Sequence, residues 1–147
     1  MTYAKDMDSG LAPSLRVAVM RLRRRLASER DPHNDLSLSA MAVLGGLFKE
    51  GEMTLGQLAD REKVQPPSMT RTVNCLEEGD YVTRRQSDTD KRQVLVAITE
   101  HGRVTVLADR ARRDAWLEQR LAGLSARERE ILHDAAPIME KLAMSRP

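Results

Sequence analysis

At 147 residues the chain is most simply one domain with room for a real core. Its 41% apolar and 31% charged residues suit a soluble globular fold, and a net charge of +2 argues for nucleic acid only if the cations cluster. The longest uncharged run, Leu36 to Phe48, is too short for a bilayer, MTYAKDMDSG lacks the apolar stretch of a signal peptide, and the lone Cys75 fits a reducing cytoplasm, the expected location.

From Leu11, the apolar positions Leu15, Ala18, Val19, Leu22 and Leu26 recur at helical spacing, with Pro13 tolerable in the first turn and Arg16, Arg21, Arg23, Arg24, Arg25 and Arg30 on the other face. The run ERDPHND ends this helix, since Pro32 and the Asn/Asp cluster favour a turn. A second helix starts near Ser37 or Ser39 as N-cap and is closed by Gly51, although Gly45 and Gly46 lower its propensity. Thr54 and Gln57 then form a capping box for a short helix over 55–62. After a tight turn, PPSMTRTVNCLEEGD reads as a further helix, because prolines are at home in a first turn and Gly79 ends it. A short helix, a tight turn and a second helix make a helix-turn-helix candidate.

Beyond it, YVTRRQS and QVLVAIT are strand-like runs around the turn-forming DTDKR, and the simplest reading is an antiparallel hairpin. Thr99 caps a long helix with a stripe of Val104, Leu107, Ala108, Ala111 and Ala115. Gly123 interrupts it near its end. Ser125 and Glu128 form another capping box for a last helix carrying Ile131, Leu132, Ala135, Ile138, Met139 and Leu142, with Pro137 expected to kink it. The expected fold is mainly α with a small β-hairpin wing: a winged helix-turn-helix over 37–99, flanked by dimerisation helices over 11–31 and 100–145.

At a hundred degrees per residue, Met69, Thr72, Val73 and Leu76 form the core face of the second helix of the turn motif. Pro67, Arg71, Asn74 and Glu78 lie opposite, with Ser68, Thr70 and Cys75 on the flanks. Such a face suits the major groove, where Arg can pair with guanine, Asn can read adenine and hydroxyls can bind phosphate. The wing adds Arg84 and Arg85 before its loop and Lys91 and Arg92 after it, and a thin cationic hairpin fits a minor groove. The DNA-binding candidates are therefore Gln65, Pro67, Ser68, Thr70, Arg71, Asn74, Arg84, Arg85, Lys91 and Arg92. Asp90 is assigned a wing-stabilising role, holding Arg92 or a neighbouring Arg in place.

The stretch MTLGQLADREKVQPPSMTRTVNCLEEGDYVTRRQSDTDKRQVLVAITEHG resembles the core of the MarR family of bacterial transcription regulators. The resemblance lies in the PSMTR helix, the L-E-x-G-D-Y-V exit and the D-x-D-x-R…V-x-I-T-x-x-G wing. It implies an obligate homodimer with interleaved terminal helices, a base-reading role at Arg71 and a minor-groove role at Arg92. A small aromatic or lipophilic effector, bound between the dimer helices and the winged part, is a further trait of many such proteins.

Three apolar-striped terminal helices would leave a large exposed patch on a monomer, so a twofold dimer is expected on physical grounds too. It would set two recognition helices about one DNA turn, ~34 Å, apart on double-stranded DNA, and the target is then an inverted repeat. The expected function is a sequence-specific regulator, a repressor of a small operon released by a small molecule. The alternative is a helical homodimeric adaptor whose winged part no longer binds DNA. No nucleophile elbow, phosphate loop or His–carboxylate constellation supports an enzyme. No cofactor or metal is expected, since His33, His101 and His133 lack zinc spacing. Cys75 and Trp116 read as packing residues, and the ligand-binding residues are left open.

Overall fold

The computed structural model describes residues 10–145. Its elements are α1 (Leu11–Ser28), α2 (Leu38–Glu50), β1 (Met53–Thr54), α3 (Leu55–Glu62), α4 (Pro66–Glu78), β2 (Val82–Gln86), β3 (Val94–Ile98), α5 (Glu100–Ala122) and α6 (Ala126–Met144). The helix starts follow the local cap chemistry. Ser37 Oγ accepts from Ala40 N at 3.0 Å, and reciprocal capping boxes join Thr54 with Gln57 and Ser125 with Glu128. Gly51, at φ 84, closes α2.

The chain divides into two compact units, Arg30–Ala111 and, as far as they are described, Met1–Glu29 with Arg112–Pro147. The division falls inside α5.

The unit Arg30–Ala111 holds the core. Val43, Leu44 and Leu47 of α2, Leu58 of α3, Met69, Val73 and Leu76 of α4, Val82, Val96 and Val106 are all buried. Each such side chain contributes roughly 1.5–3 kcal/mol by leaving water. The sheet is more than the expected hairpin. It has three antiparallel strands in the order β1-β3-β2, with Met53 opposite Val96 and Val82 opposite Ile98. Gly46 is where α2 admits a neighbour: a Cβ there would lie 2.7 Å from the Arg61 guanidinium, which reaches on to Glu50 and Glu62.

One junction fixes the start of α5. Thr99 N donates to Tyr81 O at 3.0 Å, Thr99 Oγ1 donates to Asp80 O at 2.6 Å, and Gly102 N donates to Thr99 Oγ1 at 3.1 Å. A Cβ on Gly102 would sit 2.4 Å from Tyr81 O, so only glycine lets the helix approach this closely. The apolar stripe of α5 is not what this unit buries. Val104 and Leu107 are exposed, while Gly102, Val106 and Asp109 are buried. Phe48 of α2 is instead covered by the guanidinium groups of Arg103 and Arg110, 5.0 and 4.5 Å from its ring centre.

In the other unit no described residue is fully buried. Leu11, Met20 and Leu22 of α1 and Ile131, Leu132, Ile138 and Leu142 of α6 are exposed. Trp116 is half-buried beneath the guanidinium groups of Arg25 and Arg120, at 5.2 and 5.4 Å.

Candidate nucleic-acid interface

Helix α4 is held by one face and free on the other. Met69, Val73 and Leu76 are buried, so its rotation about its own axis is fixed. Pro67 and Arg71 are exposed, whereas Ser68, Thr70, Thr72 and Asn74 are half-buried. Arg71 Nη2 is 3.5 Å from Ser68 Oγ, too long to hold the guanidinium firmly. Thr70 Oγ1 donates to Pro66 O at 3.0 Å, which leaves its lone pairs outward.

The N-terminus of α4 has unusual chemistry. Gln65 is the N-cap without a side-chain cap bond, and Pro66 and Pro67 carry no N–H. The next two, of Ser68 and Met69, both donate to Gln65 O at 3.0 and 3.2 Å. The first turn of α4 thus offers a phosphate few backbone donors, so anion contacts at this end fall mainly to side chains. Cys75, expected as a packing residue, is exposed, because its place on the helix lies outside the buried arc.

The wing loop is built on Ser87, a residue to which the sequence pattern assigned no role. Its buried hydroxyl accepts from Thr89 N and Asp90 N, both at 3.3 Å. The S-x-x-D spacing was the available signal for such a turn. Asp90 Oδ1 accepts from Arg92 N at 3.1 Å and from Arg92 Nε at 3.2 Å. The Arg92 side chain is nonetheless 91% exposed and, with the exposed Lys91, makes the loop's cationic end.

Arg84 and Arg85 stand in the body of β2, opposite Val96 and Leu95, rather than at the tip. Each is held by an acid. Arg84 Nη2 donates to Glu77 Oε1 at 2.9 Å, tying β2 to the last turn of α4. That bond holds the Glu77 carboxyl below the ordinary carboxylate range and raises Arg84. Arg85 Nη2 donates to Glu52 Oε1 at 2.6 Å, and its Nη1 lies 3.7 Å from Asp88 Oδ2. The residues thus separate into Arg71 and Lys91, with no acid within ion-pair distance among the described residues, Arg92, paired with Asp90 yet largely exposed, and Arg84 and Arg85, whose acids lie on other elements of the fold.

Among the described residues no group of three or more His, Cys, Asp and Glu could hold a metal ion, and no helix is long and apolar enough to cross a membrane.

The sequence pattern of the MarR family matches residues 36–94. An HTH-type transcriptional regulator of Mycobacterium tuberculosis (strain CDC 1551 / Oshkosh) is 46% identical over 142 residues, covering 97% of this chain and 99% of that protein. Among solved structures, a transcriptional regulator protein of Pseudomonas aeruginosa PA01 is similar with a TM-score of 0.83 and 29% identity, covering 97% of this chain and 99% of the other. Streptococcus pneumoniae FabT, solved in complex with DNA, shares the fold with a TM-score of 0.61 and 19% identity over 95% of this chain and 96% of its own.

Proposed function

The chain belongs to the MarR family and is a DNA-binding transcriptional regulator rather than an enzyme, and from that premise we propose that it acts as a twofold homodimer on an inverted repeat. In this reading α4 enters the major groove, with Arg71 and Asn74 reading base edges and Gln65, Pro67, Ser68 and Thr70 contacting the strand beside them. Lys91 and Arg92 at the wing tip serve the adjoining minor groove, with Asp90 orienting Arg92. Arg84 and Arg85 join the interface only by exchanging Glu77 and Glu52 for phosphates. The protein represses a small operon until a small molecule releases it.

The observation that carries the reading is the pairing of a rotationally fixed α4 with the unpaired guanidinium of Arg71 on its outer face. Specific readout needs a helix whose reading face is set by something other than the DNA, and the buried Met69, Val73 and Leu76 supply that. The homodimer is supported by the terminal helices. A helical unit with no buried described residue gains too little from burial to offset the entropy of ordering its chain. A second copy is the partner whose apolar stripes match its own.

The test is selection of genomic fragments by the purified protein, followed by titration of the enriched duplex over a range of salt. Enrichment of an inverted repeat, bound by a dimer with an affinity that falls steeply as salt rises, is the expected result. No enriched sequence, or a monomer in sedimentation at the binding concentration, overturns it.

A further inference from the structure

Strand β2 leaves the core almost at once. Val82 is buried, but from Thr83 to Gln86 every residue is exposed, so packing does not set how far the strand stands from α4. The strand is also the edge of the sheet, bonded to β3 alone. Two consecutive arginines supply what packing does not. Successive side chains of a strand point to opposite faces, and each of these meets an acid on its own side. Arg84 Nη2 donates to Glu77 Oε1 at 2.9 Å, and Arg85 Nη2 donates to Glu52 Oε1 at 2.6 Å. Glu77 belongs to the last turn of α4, and Glu52 directly precedes β1.

Glu77 stands against two local preferences. The C-terminus of a helix carries partial negative charge and favours a cation, yet the last turn of α4 holds Glu77 and Glu78 and no basic residue. A carboxylate beside a DNA-reading face also repels phosphates. The bond to Arg84 answers both, bringing a cation to the helix end and holding the Glu77 carboxyl below its ordinary range. Its place on the helix gives the bond a direction. Thr70, Asn74 and Glu77 follow one another at helical spacing, so the strand is tied to the flank of α4 that carries two of the DNA-binding candidates. An exposed ion pair contributes little to stability. It can still decide where one exposed element stands against another.

We propose that Glu77 and Arg84 are positioning residues for operator recognition, their bond fixing the distance between the reading face of α4 and the wing tip at Lys91 and Arg92. Helix and tip then fit together only where a duplex presents both grooves in the operator's geometry. The bond stays closed on the operator, and Arg85 with Glu52 steadies the same strand from its other face. A wing without this tie would still meet phosphates on any duplex, but its ordering would oppose specific binding. The inference rests on the regulator reading and names residues that serve it without touching a base.

The test titrates the full-length protein against the selected operator and an unrelated duplex of equal length, with thermal unfolding alongside. Glu77→Gln and Arg84→Gln change the charge in the same direction as losing an acid and losing a cation, so their absolute affinities should move apart. Both should nonetheless lower the ratio of operator to unrelated affinity by roughly tenfold, a coupling of ordinary size for residues in direct contact. Exchanging the pair, Glu77→Arg with Arg84→Glu, should recover most of that ratio. Should the exchanged protein fail to fold, Glu52→Gln and Arg85→Gln make the same comparison on the other face and should each lower the ratio. A ratio kept within about twofold in Glu77→Gln overturns the proposal, as does a fall confined to Arg84→Gln, which would make Arg84 a DNA contact. An exchanged pair that folds but recovers nothing overturns it too. A wild type with no operator preference would sink the regulator reading, whereas a preference that survives these variants sinks this inference alone.

Discussion

Replacing Arg71 by Ala separates base reading from folding and from general attraction to DNA. The side chain is exposed and its one described hydrogen bond, to Ser68 Oγ, spans 3.5 Å. Its loss should therefore leave stability unchanged within ~0.5 kcal/mol, as for surface substitutions away from special features. On DNA the expectation is different. A good bidentate contact supplies ~1–3 kcal/mol of discrimination against the wrong base. A dimer uses it at both half-sites, so specificity should fall by ~2–6 kcal/mol, or about 30-fold to about 20,000-fold at ~1.4 kcal/mol per tenfold. Fluorescence anisotropy on the selected operator, on each single-base variant of one half-site, and on an unrelated duplex would read this directly. The quantity that matters is the ratio of specific to unrelated affinity, because losing a cation weakens both. Arg71→Lys keeps the charge without the planar fork and should restore affinity for the unrelated duplex but little of the discrimination. If Arg71→Ala kept the wild-type ratio at every base position, Arg71 would not be a reading residue, and the orientation of α4 on DNA would have to be rebuilt from other residues.

Other substitutions test the wing and the frame behind it. Arg92→Ala should make the salt dependence of binding shallower by ~2 in log–log slope for the dimer, about 0.9 for each phosphate no longer neutralised, with base preference retained; a wild-type slope would take the wing tip off the DNA. Gly102→Ala gains about 1 kcal/mol of helix propensity but drives a Cβ against Tyr81 O, where overpacking costs ~1–3 kcal/mol. Its midpoint in thermal unfolding should fall, and an unchanged midpoint would mean that the start of α5 can slide. Glu77→Gln tests the tie between α4 and β2. The Arg84 bond lowers the folded-state pKa of Glu77, so its contribution is present above the ordinary carboxylate range and is lost as pH falls through the lowered value. Unfolding measured from neutral to acid pH should show the wild type losing its advantage over Glu77→Gln on the acid side alone; parallel curves throughout would leave the pair with no share in stability.

What the sequence made legible was chemistry whose partners are near in the chain. The caps at Ser37, Thr54 and Ser125 could be read because each side chain meets a backbone group three residues on. The face of α4 could be read because Met69, Val73 and Leu76 follow the helical period. Strand β1 could not: two residues have no period, and Met53 is a strand only because Val96 lies beside it. Arg84 and Arg85 looked like free cations because nothing local shows that Glu77 and Glu52, the latter 33 residues away, are their partners. The same limit explains α5. Apolarity selects Val104 and Leu107, yet the winged core takes Gly102 for its lack of a Cβ, Val106 for its bulk and Asp109 for a hydrogen bond to Asn34, 75 residues earlier. An apolar stripe predicts that a helix buries something, but a helix running through two units has more than one face to offer. Asp109 is the sharpest case. Patterning would put it in water and a packing argument alone would replace it by Leu, yet it is buried with its carboxylate accepting from Asn34 Nδ2 and Asp31 N. Sequences that fold well agree with their structures at every level, and Asp109 joins that agreement only once its partners, 75 and 78 residues earlier, are known.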